Sequence, residues 1–324
     1  MIRIFLAIAA VLVVAAPAQA AFPGVPGPIA YTKGEASEGG VTSGGIFAHG
    51  PRRSDGSRRL TADPTDSDPA YSGSGRKIAF VRAVESGEPP GRTLGSRIYV
   101  MNAAGDGVRP VTSGEFFDSN PSFSPDGRRL VFERRRGERV SNIFAIDLDG
   151  GGERQLTRGA HQDQDPVFAP NGRWIAFVSN RDKDARSDQS DIFSMRPNGS
   201  RVRVLIDGPH DESGPDISPS GRSVVFASNR IRRTSNIFVA RSSGRRVRAL
   251  THAEGTCFGS VCFHSPSWSP NGKHIAYIAS SRYRTDLEVM RSDGKRRREF
   301  DGGGVEAEGY GSSVGAPTWG PKPR

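Results

Sequence analysis

Apolar and polar residues alternate in short runs along this chain, and the runs recur in sets of four. Lys77 to Val81, Leu130 to Phe132, Trp174 to Ser179, Val224 to Ser228 and His274 to Ala279 are brief apolar stretches bounded by turn residues. Such runs read as half-buried or core β-strands. No interior segment keeps a 3.6-residue apolar period over about a dozen residues, so long helices are not expected.

The most informative stretch is Asn120 to Phe132, which reads Asn-Pro-Ser-Phe-Ser-Pro-Asp-Gly-Arg-Arg-Leu-Val-Phe. Ser122 to Ser124 predicts a strand. In the turn that follows, Pro125 presets φ, Asp126 can bond its own backbone and Gly127 accepts φ > 0. Leu130 to Phe132 then returns as the second strand of a hairpin.

The phrase recurs. Its first proline falls at 69, 121, 166, 215, 266 and 317, at intervals of 52, 45, 49, 51 and 51 residues. Each complete unit continues with a third strand (Arg97 to Met101, Asn142 to Ile146, Asp191 to Met195, Asn236 to Ala240, Asp286 to Met290) and a glycine turn. A fourth strand ends each unit, as Pro110-Val111-Thr112, Gln155-Leu156-Thr157, Val204-Leu205-Ile206, Ala249-Leu250-Thr251 and Arg298-Glu299-Phe300. A period near fifty with four strand signals is the pattern of a propeller blade.

Five units are complete. The copy at Pro317 has only its first strand, Thr318-Trp319. The segment Pro28 to Thr61 predicts three strands without a first: Pro28 to Tyr31, Ile46 to Ala48 and Arg58 to Thr61, with a Gly/Ser-rich loop over Gly34 to Gly45. Joined, the two ends complete a sixth blade and leave no unpaired strand edge. The predicted fold is therefore all-β: one six-bladed β-propeller of four-stranded antiparallel blades over 21–324, closed by pairing the N- and C-terminal strands in one blade.

The Pro-x-aromatic-Ser-Pro-Asp-Gly phrase, followed by an apolar strand and Ser-Asn-Arg (Ser179 to Arg181, Ser228 to Arg230), resembles the repeat of TolB-type β-propellers. The resemblance runs from about Pro28 to Pro321. It implies the fold; the same propeller type serves many functions.

The ends and the composition add to this. Met1 to Ala20 has Arg3 as a basic start, an apolar run from Ile4 to Ala16 and an Ala18-Gln19-Ala20 cleavage site, the pattern of a secretory signal peptide. The run is short for a membrane span, so an exported chain with no stable membrane span after leader cleavage is expected. Periplasmic, cell-surface and secreted locations all fit. Gly (40) and Pro (23) are abundant among 324 residues, as many turns require. The net charge is +10, with arginines clustered at 134–136, 230–233 and 245–246 and a basic run at 295–298. In an exported chain without aromatic–basic stacking patterns, nucleic acid is not the expected partner. Solvated strand edges or an anionic envelope partner account for the charge.

Cys257 and Cys262 read as a disulfide closing one small loop. With His252 and His264 beside them, a zinc site is the alternative. Gly311 to Gly315 fits Gly-x-Ser-x-Gly, but no acid–His pair follows, so a glycine-rich loop is expected there rather than a nucleophile elbow. Gly255 to Gly259 mimics the cysteine version, and a disulfide at Cys257 would remove its nucleophile.

The candidate functional surface is a set of acids around the first strands. Asp66, Asp118, Asp163 and Glu212 precede the repeat prolines by three residues, where the fifth and sixth copies have Phe263 and Val314. Asp68, Asn120 and Asp165 sit immediately before the prolines. If the first strands line a channel, these residues ring one mouth. The mouth could take a basic partner segment or a cation such as Ca²⁺. Alternatively, the acids bond local turns or the neighbouring blade's backbone. No resident cofactor or metal is expected. The reading is a non-catalytic, monomeric scaffold for a protein or cell-envelope component. The alternative is a hydrolase, lyase or small-ligand binder using the mouth.

Overall fold

The computed structural model describes residues 21–37, 40–85, 93–137, 139–182, 189–208, 210–255, 261–282, 284–302, 312–314 and 317–323. The predicted leader at 1–20 and Cys257 lie outside them. Among the described residues no helix is long and apolar enough to cross a membrane.

The strands follow the repeat. The N-terminal set is β1 (Pro26–Ser37), β2 (Gly40–His49) and β3 (Ser57–Arg59). The first full unit is β4 (Ser67–Tyr71), β5 (Lys77–Glu85), β6 (Thr93–Asn102) and β7 (Arg109–Pro110). The second is β8 (Phe117–Phe123), β9 (Arg129–Arg135), β10 (Ser141–Asp147) and β11 (Arg154–Gln155). The third is β12 (Asp163–Phe168), β13 (Ile175–Ser179), β14 (Asp191–Met195) and β15 (Arg203–Ile206). The fourth is β16 (Glu212–Ile217), β17 (Ser223–Ile231), β18 (Thr234–Arg241) and β19 (Arg248–Ala249). The fifth is β20 (Cys262–Trp268), β21 (His274–Ser280), β22 (Thr285–Arg291) and β23 (Arg298–Gly302). The chain ends with β24 (Ser312–Val314) and β25 (Thr318–Pro321).

Within each unit the strands pair antiparallel in chain order, giving an all-β propeller of four-stranded blades. The first two units are joined into one eight-stranded sheet by a single parallel bridge, Ser96 to Phe117. The N-terminal set pairs with both C-terminal strands: Ile29 lies opposite Trp319, Ala30 opposite Thr318, and Lys33 opposite Val314. Neighbouring first strands touch in the order β4, β8, β12, β16, β20, β25 and again β4.

Two local expectations change. Gly34 to Gly45 is not a loop: β1 continues to Ser37 and β2 begins at Gly40, with Gly34 opposite Gly44. The reason is tertiary, because β24 adds a third strand beside Lys33 to Glu35 and supplies ladder bonds that weak local propensity does not. For the same reason Ser312 to Val314, inside the Gly-x-Ser-x-Gly match, is a strand rather than a loop.

The repeat proline has a role beyond its turn. In all five complete units the first-strand register breaks across the proline and the residue before it, as between Ser119 and Ser122. Proline cannot donate to the ladder and is tolerated at a bulge. It also bars the preceding residue from the right-handed helical region. That residue adopts positive φ instead: 49° at Asp68, 55° at Asn120, 52° at Asp165, 54° at Gly214 and 53° at Ser265. Asp, Asn, Ser and Gly are the types that tolerate this conformation.

The residue after the proline ties neighbouring units together. Ser122 Oγ accepts from Phe168 N (3.2 Å), Asp216 Oδ2 from Trp268 N (2.5 Å) and Ser267 Oγ from Trp319 N (3.3 Å). The same contact links the chain ends, where Thr318 Oγ1 accepts from Tyr71 N (3.5 Å). Between the sheets lie apolar layers such as Phe132, Phe144 and Leu130 in the second unit and Phe226 and Phe238 in the fourth.

Candidate functional site

Antiparallel order sorts the connections onto two faces. Turns between strands one and two, and between three and four, emerge on one side, here the turn face. Hairpins between strands two and three, and the links to the next unit, emerge on the other, the connector face. The first strands begin at the connector face, so Asp66, Asp118, Asp163 and Glu212 lie there.

These four acids are brought to equivalent positions, but none is free. Asp66 accepts two bonds from Arg82 (2.6 and 2.8 Å) and Asp118 two from Arg134 (2.6 and 2.9 Å). Asp163 accepts from Arg181 (2.7 and 2.8 Å) and from the Ser179 hydroxyl (2.6 Å). Glu212 accepts from Arg230. All four carboxylates are buried. Each arginine also lies over an aromatic pair on its own second and third strands. Arg134 is 5.3 Å from the Phe132 ring centre and 4.8 Å from Phe144; Arg181 is 5.1 and 5.4 Å from Phe177 and Phe193. Desolvation raises the Asp118 carboxyl above its ordinary range against the pull of Arg134, and raises Glu212 to about 7.

Sequence reasoning missed these arginine partners, although the signal was present. Arg82 and Arg134 stand two residues after the second-strand phenylalanine; Arg181 and Arg230 stand four after it, in the Ser-Asn-Arg phrase. In the fifth unit Phe263 replaces the acid, and Arg297, just before the fourth strand, covers its ring at 4.3 Å. Thus Arg134, read as part of an exposed cluster, is instead buried, gripping Asp118 and also Glu153 at 2.7 Å.

Asp68, Asn120 and Asp165 form a second group, linked from unit to unit through the positive-φ bulges. The backbone N–H of Asn120 donates to Asp68. The Asn120 amide donates to Asp165 Oδ1 (3.0 Å) and to Glu133 Oε2 (3.0 Å), and Gly214 N donates to Asp165 Oδ2 (3.0 Å). Glu133 is a member the sequence did not single out. It sits between Phe132 and Arg134 and points to the opposite side of β9, as strand alternation requires. Burial raises Asp68 to about 6. Burial and the Asp68 charge raise Asp165 to about 7, and burial with both neighbouring carboxylates raises Glu133 to about 8. The seven sequence candidates are therefore engaged in ion pairs within units or hydrogen bonds between them.

Other groups fall into place around this frame. Cys262 is in a disulfide, so it offers no thiolate. His264 has one ring nitrogen on the Ser265 hydroxyl (3.0 Å) and the other on Ser280 (2.8 Å), and burial lowers it to about 4. Asp182, Asp191 and Asp207 bring one oxygen each within 4.8 Å of one another on the connector face of the third unit. They come from separate strand ends, so no spacing in the sequence announces them.

The turn-face end of the axis is filled by the chain itself. Ala21 and Phe22 are buried, and Gly24 N donates to Pro270 O (3.1 Å) in the fifth-unit turn. Phe22 packs with the apolar cluster of the first two units, and its ring lies so close to Gly73 that a Cβ there would meet it at 3.1 Å. Ala21 packs with the cluster of Phe263 and Trp268.

No curated protein sequence matches this chain. Solved structures do. TolB from Acinetobacter baumannii superposes with a TM-score of 0.71 at 21% identity, covering 91% of this chain and 67% of that one. A protein described as TolB from Agrobacterium tumefaciens gives 0.64 at 19% identity, covering 92% and 100%. An oligogalacturonate lyase from Vibrio parahaemolyticus gives 0.52 at 12% identity, covering 74% and 69%. The family model of the TolB β-propeller domain matches residues 68–322, spanning all five complete repeats and the final strand. The chain belongs to the TolB β-propeller family.

Proposed function

We propose that this protein is an exported, non-catalytic binding scaffold: a six-bladed propeller, closed by a blade built from both chain ends, that presents its connector face to a protein or cell-envelope partner. The observation that carries this reading is the filling of the other end of the axis by Ala21 to Gly24. With the turn face occupied and its loops short, the connector face is the side left for recognition. Its ion-paired acids give it a rigid base, and exposed charges such as Asp182 and Glu254 give it a polar rim. The protein acts as a monomer without a resident metal or cofactor.

The test is capture from the envelope fraction of the exporting cell, using the mature chain as bait. Reversing charge at Asp182 and Glu254 is expected to reduce recovery of the captured partner, whereas reversal at Asp149 and Asp293 on the turn face is not. Equal effects from both pairs, or no specific capture, would overturn the reading. The lyase neighbour, most of whose length this chain matches, favours one alternative, an enzyme working at the mouth. A panel of polysaccharide and peptide substrates is expected to show no turnover; activity abolished by a connector-face substitution would favour the enzyme.

A further inference from the structure

Asp216 has no exposed surface, and its carboxylate oxygens meet only backbone donors: Trp268 N at 2.5 Å, Ala21 N at 3.2 Å and the N–H of Ile217. Among the described residues it has no cationic partner. It stands after the repeat proline, where the other units that make this contact use Ser122, Ser267 or Thr318 to accept the neighbour's N–H. A hydroxyl suffices for that bond. A carboxylate adds a charge, and an uncompensated buried charge costs several kcal/mol. Burial accordingly raises the Asp216 carboxyl well above its ordinary range.

The residue supplying one of those donors is Ala21, directly after Ala18-Gln19-Ala20. We propose that cleavage between Ala20 and Ala21 creates the α-ammonium group that Asp216 is built to receive, so that the new N-terminus locks the plug of the propeller as a buried ion pair. This rests on the export reading above. In the cleavage, water adds across the peptide bond: its oxygen ends on the Ala20 carboxylate and both its protons end on the Ala21 nitrogen. One N–H at 3.2 Å from Asp216 thereby becomes an ammonium with three donors at the same place. The charge of Asp216 then has a counterion, and a charge-assisted bond replaces a neutral one. The plug also couples units. Asp216 belongs to the fourth and holds Trp268 of the fifth, while Phe22, next to Ala21, packs against the first two. Before processing, the same site holds an amide, and the buried carboxyl has backbone donors but no counterion.

Two arms test this separately. In the first, the full-length chain is expressed with export, and the intact mass and N-terminal sequence of the mature protein are read. A start at Ala21 is expected; a start elsewhere, or a retained leader, overturns the proposal and, in the latter case, the export reading too. The second arm does not depend on export. Four mature proteins are released from a removable fusion: one starting at Ala21, one with Gly-Ser placed before it, Asp216→Asn, and the combination. Asn keeps an oxygen for Trp268 N–H, so the contact between units survives. The extension and Asp216→Asn are each expected to lower Tm by about 5 °C or more, and the combination by no more than the larger single effect. The Ala21 α-amine is also expected to react at least tenfold more slowly with an acylating reagent in the folded than in the unfolded protein. Additive losses, an extension that leaves Tm unchanged, or an α-amine of ordinary reactivity would overturn the ion pair.

Discussion

Glu133 offers the sharpest test of how the acids near the propeller axis are held. It is buried on β9, accepts from the Asn120 amide at 3.0 Å, and is pushed from the ordinary 4.5 to about 8 by burial first and then by the charge of Asp165. Between those pH values the folded chain keeps a proton that the unfolded chain has released. The sign follows from linkage. The contribution of this group to stability is fully present below about 4.5 and is lost as pH rises through about 8, at about 1.4 kcal/mol per pH unit. From pH 5 to pH 7 that amounts to about 2.7 kcal/mol. Glu133→Gln keeps an oxygen for Asn120 and removes the titration. Urea unfolding at pH 5, 6 and 7 is therefore expected to show a stability–pH profile flatter than wild type by about that amount, with the variant the more stable partner at pH 7 relative to pH 5. Asp165 and Asp68 titrate near 7 and 6, where Glu133 still holds its proton, so the neutral variant leaves their share of the profile in place. Parallel profiles for the two proteins would show that Glu133 is hydrated or already compensated, and the account of the group would fail.

Three further outcomes follow from the same geometry. Arg134→Ala leaves the Asp118 carboxylate buried without its cation and is expected to cost about 3–5 kcal/mol in denaturant unfolding, part of which Asp118→Asn in the same chain restores; a loss under 1 kcal/mol would mean the pair is solvated. Gly244 has φ of 78°, and a Cβ on it would lie 1.9 Å from the Leu205 carbonyl oxygen, so Gly244→Ala is expected to destabilise by about 1–3 kcal/mol; an unchanged melting curve refutes the contact. Deleting residues 317–324 removes the strand opposite Ile29 and Ala30 and exposes the edge of β1. Loss of cooperative unfolding and aggregation are expected, and a monomer with wild-type near-ultraviolet circular dichroism would contradict the proposed closure of the ring.

Most of the candidate site could be read from spacing, but its chemistry could not. The equivalence of Asp66, Asp118, Asp163 and Glu212 follows from their common distance to the repeat proline. Whether they face solvent or an arginine depends on which strand lies beside them. Asp118 stands opposite Arg134 across β8 and β9, and Asp66 one residue beyond the Ser67–Val81 pair, so both meet their arginines directly. Asp163 and Glu212 stand opposite Ser179 and Ser228, and their arginines reach back from two residues further on. The register is the same in all four units, and the two solutions differ in whether an arginine or a serine stands opposite the acid. Glu133 was hidden for a related reason: its neighbours Asp68 and Asp165 belong to the units before and after its own.

The sequence by itself determined the strands of the five complete units, their grouping in fours and the turn residues, because these depend on local alternation and on the φ preferences of Pro, Asn, Asp and Gly. It also determined which end segments complement one another, since a missing first strand and a lone first strand are visible as text. Tertiary structure alone decided three things: that Gly34 to Ser37 extends into a strand beside β24, that the acids are engaged by arginines and neighbouring backbones, and that Ala21 reaches Asp216. Those outcomes depend on contacts between residues as distant in sequence as Ala21 and Asp216 or Gly34 and Ser313. Local propensity has no term for such contacts, because the burial and ladder bonds that decide them exist only once the sheets are assembled around their axis.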